Sequence, residues 1–258
     1  WRRKLLVRGL LRALVAADVG QGMSLYAGGA FTSADGLLAV GVARWDGSAF
    51  ARLTGGMNNR VDALAVHGGQ LVAAGKFTWA GGGVANHIAR WTGSAWQAME
   101  AGLDGDVNAV AVDGTSLCVA GAFLNAGGAP ALHIAKWNGT QWTALGAGLD
   151  GTVNALVVHG GSLYAGGEFT ASGAAAVNHI ATWSGSAWVD VGGGIAGPVS
   201  RLVSHRGKLY AGSTCGTAAC ISVWDGTAWS AIPALTNEGD PATLTGLGSV
   251  DEDGTGPG

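Results

Sequence analysis

The run LYAGGAF, from Leu25 to Phe31, returns as LVAAGKF from Leu71, LCVAGAF from Leu117, LYAGGEF from Leu163 and LYAGSTC from Leu209, each start 46 residues beyond the last. A second element keeps the same rhythm: ARWDGSAF from Ala43, ARWTGSAW from Ala89, AKWNGTQW from Ala135 and ATWSGSAW from Ala181. Its last copy, SVWDGTAW from Ser222, comes five residues early. A third element precedes each LYAGG-type run, as VDALAV from Val61, VNAVAV from Val107, VNALVV from Val153 and VSRLVS from Val199. Self-similarity at one fixed period is the mark of a repeat architecture.

Every run is short, rich in β-branched or aromatic residues, and bounded by Gly, Asn, Asp or Ser, which is the strand pattern. Asp46-Gly47, Asn138-Gly139 and Asp225-Gly226 sit between two aromatic runs and read as two-residue hairpin turns, since Gly and Asn tolerate positive φ. One unit is then a four-stranded antiparallel sheet. Such a sheet cannot bury both faces alone, so neighbouring units must stack. Four strands per unit at this period predict an all-β fold, a β-propeller of four-stranded antiparallel blades with five complete 46-residue repeats. The alternatives are a segment of a larger propeller or array, and a solenoid, whose coils are normally shorter and poorer in Trp.

The repeats run approximately over 11–60, 61–106, 107–152, 153–198 and 199–240, with 241–258 beginning a further repeat or supplying a closing strand, all within one domain of 258 residues. Trp45, Trp91, Trp137, Trp183 and Trp224 form one equivalent set; Phe50, Trp96, Trp142, Trp188 and Trp229 form another. Each ring is expected to bury about 150–250 Å2 between blades. Gly29, Gly75, Gly121 and Gly167 are expected where two backbones approach too closely for a Cβ. Trp1 to Leu5 matches the end of a preceding unit and Thr245 to Val250 the start of a following one. Arg2, Arg3, Lys4, Arg8 and Arg12 crowd one end and Asp251, Glu252 and Asp253 the other, which suggests that the ends lie side by side.

Composition narrows the functions. Charged residues are 12% of the chain, against about 25% in an ordinary domain. With 47 Gly long helices are disfavoured, and 11 Trp with a mean hydropathy of +0.29 exclude disorder. A net charge of −3 offers no basic field for nucleic acid. No uninterrupted apolar stretch of about 18 residues predicts a membrane span. Leu5 to Ala17 resembles the start of a signal peptide, but Arg8 and Arg12 interrupt it, so it reads as an ordinary part of a mature or excised segment.

An apolar run ending in Gly-Gly, a loop, an aromatic beside a turn and then a Trp resembles the kelch motif. The repeat is more similar to Rax2-like and delta-60-type repeats, which join LYAGGxFT to a later IARWDG. The residues carrying this likeness include Leu163 to Thr170 and Ile88 to Trp91, and it extends over nearly the whole chain. The resemblance implies a β-propeller and a secreted or surface-attached interaction protein, and it transfers no activity. Two departures stand out: the double Gly is intact only at Gly28-Gly29 and Gly166-Gly167, and Trp replaces the kelch Tyr. Kelch-like propellers include copper-radical oxidases, but Tyr26, Tyr164 and Tyr210 all occupy one strand position on different blades and cannot build such a centre.

The remaining candidates are few. Cys118 stands in the Tyr position of its run and reads as a small core residue. Cys215 and Cys220 flank a loop shortened by five residues, and a disulfide between them would staple it in an oxidising compartment. His67, His159 and His205 occupy the turn before the LYAGG run, while His87, His133 and His179 immediately precede the IARW run. Residues on different blades converge on one ion only if they line a channel, so the histidines read as loop ties rather than metal ligands. Asn86, His87, His133, Asn178 and His179 are the best polar residues for holding a ligand. Asp104 and Asp150, each in Leu-Asp-Gly, are turns rather than calcium loops, and Asn138-Gly139-Thr140 is a glycosylation sequon better explained as a turn. No catalytic set breaks the repeat, so no enzyme, cofactor or metal is expected. The sequence predicts a non-enzymatic extracellular or cell-surface propeller that presents loops to a protein or glycan ligand, with a multivalent lectin as the alternative.

Overall fold

A computed structural model describes residues 7–215 and 218–232. Its described residues contain strands, turns and no helix, so none is long and apolar enough to cross a membrane. Five antiparallel sheets follow one another, and in each the strands, here a to d, pair in chain order. Blade 1 comprises Val7–Ala17, Ser24–Ala34, Val42–Trp45 and Phe50–Arg52. Blade 2 comprises Val61–His67, Gln70–Gly75, Ile88–Trp91 and Trp96–Ala98. Blade 3 comprises Val107–Asp113, Ser116–Gly121, Ile134–Trp137 and Trp142–Ala144. Blade 4 comprises Val153–His159, Ser162–Gly167, Ile180–Trp183 and Trp188–Asp190, and blade 5 Val199–His205, Lys208–Cys215, Ala218–Trp224 and Trp229–Ile232. Of the stretch compared above with a signal peptide, Val7–Ala17 forms strand a of blade 1.

Short hairpins sit between strands b and c: Trp79–Ala80 with Gly83–Val84, Asn125–Ala126 with Ala129–Pro130, and Ala171–Ser172 with Ala175–Ala176. In blade 1 the equivalent Leu37–Leu38 pairs with strand b itself. Blade 5, five residues shorter, runs strand b into strand c with Cys215 opposite Ala218 and Ser213 opposite Cys220. The Cys215 side chain lies outside the described residues, as do Arg2, Arg3, Lys4, Asp251, Glu252, Asp253 and the Trp1 to Leu5 and Thr245 to Val250 segments.

The chain forms two compact units. Unit 1 is Trp1–Ala131 with Ala135–Ala144, and unit 2 is Leu132–Ile134 with Leu145–Gly258. In unit 1, Tyr26 and Val42 of blade 1 pack on Leu71, Ala73, Ala89 and Trp91 of blade 2. The other face of blade 2, with Val72, Ala74 and Ile88, packs on Leu117, Val119, Trp137 and Trp142 of blade 3. In unit 2, Ala155 and Ile180 of blade 4 pack on Leu209, Ala211, Trp224 and Trp229 of blade 5. Within each unit the core is therefore layered, with one layer between the facing sheets of blades 1 and 2, of blades 2 and 3, and of blades 4 and 5.

Two glycine positions make these layers possible. A Cβ on Gly166 of blade 4 would lie 2.4 Å from Val199 Cγ1 of blade 5, so the facing sheets close up only over a bare backbone. The expected close approach at the end of strand b also occurs, within each blade: a Cβ on Gly75 would lie 2.3 Å from Arg60 O and one on Gly121 2.0 Å from Asp106 O. Each stands opposite a bulge in strand a, between Val61 and Ala63 or between Val107 and Ala109.

The aromatic hairpins carry a correction. Trp45 pairs with Phe50 and Trp137 with Trp142, so the connecting loop has four residues rather than two. An Asx turn holds it: Asp46 Oδ1 accepts from Ser48 N at 2.8 Å and Ala49 N at 2.9 Å, and Asn138 Oδ1 accepts likewise from Thr140 and Gln141. Gly47 and Gly139 alone of each dipeptide take positive φ, at 99° and 107°. The true two-residue turns lie between strands a and b, as at Gly68-Gly69 with φ of 57° and 72°.

The repeat supplies its own control for the layers. Leu71, Leu117 and Leu209 are 0% exposed, whereas the equivalent Leu25 of blade 1 is 38% exposed beside Leu14 at 55%. Leu71→Ala is expected to lower stability to urea unfolding by about 2–5 kcal/mol, and Leu25→Ala by less than about 1 kcal/mol. Equal losses at the two sites would contradict the layered core. The Asx turns give a second test. Backbone donation from Ala49 and Ala228, aided by Ser48 and Thr227, lowers Asp46 and Asp225 from 3.8 to about 2. Because the folded value is depressed, their stabilisation is full above pH 3.8 and lost as pH falls towards 2. A carboxyl NMR titration should place both midpoints near 2, and midpoints at the ordinary value would contradict the turn geometry.

Candidate functional site

The histidines preceding strand c are built into the backbone path. His87, His133 and His179 adopt left-handed φ of 65°, 63° and 63°, which turns the chain from the short hairpin into strand c. After the kink the ladder resumes: His87 N donates to Phe77 O at 2.8 Å and Gly75 N to His87 O at 3.0 Å. In unit 2, His179 N donates to Phe169 O and Gly167 N to His179 O, both at 3.0 Å. The rings are tied as well, with His87 Nδ1 3.1 Å from Gly75 O and His179 Nδ1 2.9 Å from Ile195 O. A carbonyl only accepts, so both Nδ1 atoms carry a proton.

Asn86 and Asn178 clip the following connection. Asn86 O accepts from Leu103 N at 3.1 Å and its Nδ2 donates to Ala101 O at 3.0 Å. Asn178 O accepts from Ile195 N at 3.0 Å. Asn86 and His87 thus stand together in unit 1, and His133, Asn178 and His179 belong to unit 2. At the other end of the blades, His67 Nε2 donates to Thr115 O at 2.9 Å and His159 Nδ1 is 2.9 Å from Ser204 Oγ. These side chains tie turns of consecutive blades. Among the described residues no three His, Cys, Asp or Glu side chains come together.

The carboxylates are engaged too. Asp104 Oδ1 accepts from Leu124 N and Asn125 N, both at 2.8 Å, and Asp150 Oδ1 from Thr170 N at 2.7 Å and Ala171 N at 2.8 Å. Burial opposes ionisation of Asp104, but donation from the Asn125 side chain together with these backbone donors outweighs it and its acidity is raised. A charged group not picked out by the sequence lies at the starts of strands a in unit 1. There Asp62 pairs with Arg60 at 2.9 Å and Arg12 at 3.5 Å, and Asp106 meets Lys76 with His87 Nδ1 3.7 Å away. Cys118 is buried, and burial pushes its thiol up to about 12, so it is no nucleophile at neutral pH.

What stands out is an exposed indole. Trp79, at 45% exposure, lies opposite Val84, at 61%, on the short hairpin of blade 2. Asn58 Oδ1 anchors that hairpin by accepting from Thr78 N and Trp79 N, each at 3.0 Å. Leu38 of blade 1 and Leu124 of blade 3 are exposed on the equivalent segments. Sequence reasoning passed over Trp79, although the signal was present: it belongs to neither 46-residue Trp set, and its counterparts are Ser33, Asn125 and Ala171.

Comparison with known proteins agrees with this architecture. Residues 94–254 match the Rax2 C-terminal beta propeller domain, and residues 69–92 match a beta-propeller domain of unknown function, DUF5122. No curated protein matches. Among solved structures, the computationally designed Ika8 protein is similar at a TM-score of 0.56 and 16% identity, covering 86% of this chain and 60% of that one. The extracellular domain of the putative hybrid two component system BT4673 from B. thetaiotaomicron is similar at a TM-score of 0.57 and 13% identity, covering 92% of this chain and 29% of that one. The chain therefore spans less than two thirds of either structure. A repeat read from residues, sheets that pair as blades, and a family match over more than half the chain converge on one assignment. The chain belongs to the Rax2 C-terminal β-propeller family.

Proposed function

We propose that this chain is a non-enzymatic binding propeller that works outside the cell or at its surface and presents short hairpins to a protein ligand. The observation that carries this reading is Trp79, an indole left open on a hairpin whose backbone is clamped by Asn58. A rigid, exposed aromatic flanked by Val84 offers contact area at low entropic cost, the character of an interface anchor. The polar side chains support the same reading, because Asn86, His87, His179, Asp104 and Asp150 hold loops in place. The extracellular domain among the similar structures supports a surface location.

A lectin is the second reading, favoured by the same open indole, since an aromatic face stacks on a pyranose ring. Screening the labelled chain against surface proteins and a glycan array separates the two. Trp79→Ala is expected to weaken whichever interaction is found by about tenfold or more while leaving the unfolding midpoint unchanged. An unaltered affinity in this variant would overturn the site. The Cys215–Cys220 bridge belongs to the same extracellular reading. The intact mass is expected to rise by one pair of hydrogens on reduction, and an unchanged mass would remove the bridge.

A further inference from the structure

We infer that the cleft between blades 2 and 3, within unit 1, binds a small carboxylate that also carries a hydroxyl or amino donor. The cleft has a volume of about 160 Å3 and is lined by His67, Gln70, Val72, Arg90, Trp137 and Gly139. Arg90 is the unusual member. Its Nε is sealed from solvent and has no hydrogen-bond partner, and among the described residues its guanidinium forms no ion pair. A desolvated N–H without an acceptor is unfavourable, and an oxygen acceptor relieves that penalty.

The preceding junction shows what fills this position. Arg44 of blade 1 is the register counterpart of Arg90, and Gly93 of blade 2 the counterpart of Gly139. At that junction Gln21 occupies the space. Arg44 Nη1 donates to Gln21 Oε1 at 2.7 Å and Arg44 Nη2 to Gln21 O at 2.8 Å, while its Nε donates to Ser24 Oγ at 2.8 Å. Gln21 Nε2 in turn donates to Gly93 O at 2.8 Å. Gln21 comes from the long a–b connection of blade 1, between Ala17 and Ser24. Blade 2 replaces that connection with Gly68-Gly69 alone and carries Gln70 where blade 1 has Ser24, and Arg90 Nε is left without an acceptor.

The chemistry of an occupant follows from this internal example. Two oxygen acceptors must face the guanidinium fork, and a donor must face the Gly139 carbonyl. A carboxylate satisfies an otherwise unpaired Arg better than a neutral amide, because the charge-assisted pair is stronger and bidentate. Val72, Met99 and Trp137 leave an apolar wall for the carbon skeleton. The volume is that of about five waters, which limits the ligand to a few carbons.

Lactate is the test probe, with propionate as the analogue lacking the hydroxyl. The Arg90 Nε–H resonance of the 15N-labelled chain is expected to shift saturably with lactate, with Kd of about 1 mM, and more weakly with propionate. Arg90→Gln should weaken binding by about tenfold or more, whereas Arg44→Gln should leave it unchanged. Replacing Gly68-Gly69 with the Asp18–Met23 segment supplies an internal Gln and should also block lactate. Absence of any shift in the unaltered chain, or full binding by Arg90→Gln, would overturn the proposal, and the first readout requires no variant to fold.

Discussion

Everything in this fold depends on hiding two aromatic rings per repeat. Strands c and d are joined by a hairpin with one ring on each arm, and the rings meet at a tilt with centroid distances of 5.0–5.4 Å, as in Trp137 with Trp142 and Trp183 with Trp188. A single blade cannot cover this pair. A neighbouring blade does so, and it also supplies a carbonyl for the indole N–H. Trp142 Nε1 donates to Met99 O at 3.0 Å, and in unit 2 Trp188 donates to Leu145 O at 3.1 Å and Trp229 to Val191 O at 2.8 Å. Burial and hydrogen bonding then favour the same stacking, and the spacing of 46 residues keeps both in register from blade to blade. Trp96 is the exception, with a buried Nε1 that has no acceptor.

The same constraint explains how polar residues are used. Low surface charge and many glycines leave few side chains to define the loops, and most of these are engaged in defining them. Asp46, Asn138 and Asp225 shape the aromatic hairpins, Asn58, Asp104 and Asp150 clamp the short hairpins, and His67, His87, His159 and His179 connect turns to neighbouring backbone. The two proposed sites therefore lie where a residue escapes this duty. Trp79 escapes by standing outside both aromatic sets. Arg90 escapes because blade 2 has neither the Ser24 that bonds Arg44 Nε nor the long turn that carries Gln21.

Much of this was legible in the sequence because it repeats. Strand positions and the close approach at Gly75 and Gly121 follow from spacing and residue type, and the coordinates place them as expected. The aromatic turns were misread because Asp-Gly and Asn-Gly are the usual marks of a two-residue turn, whereas here Ser48 and Ala49 complete an Asx loop. The candidate site was less visible, since a repeat directs attention to equivalent residues. Asn86, His87 and His179 were chosen for recurring, and recurrence reflects their place in the backbone path. Arg90 was invisible for a different reason: its Nε lacks the acceptor that Ser24 gives Arg44, and that bond depends on side-chain geometry that spacing alone does not show.

Hydrogen exchange at the individual indole Nε1–H groups, read by NMR, tests the central account most directly. Trp142, Trp188 and Trp229 should exchange slowly, as donors to carbonyls of the adjoining blade, and Trp79 should exchange at nearly the rate of free indole. Uniformly fast exchange, or protection of Trp79 equal to that of Trp142, would contradict the structure in which blades stand on one another's aromatic rings.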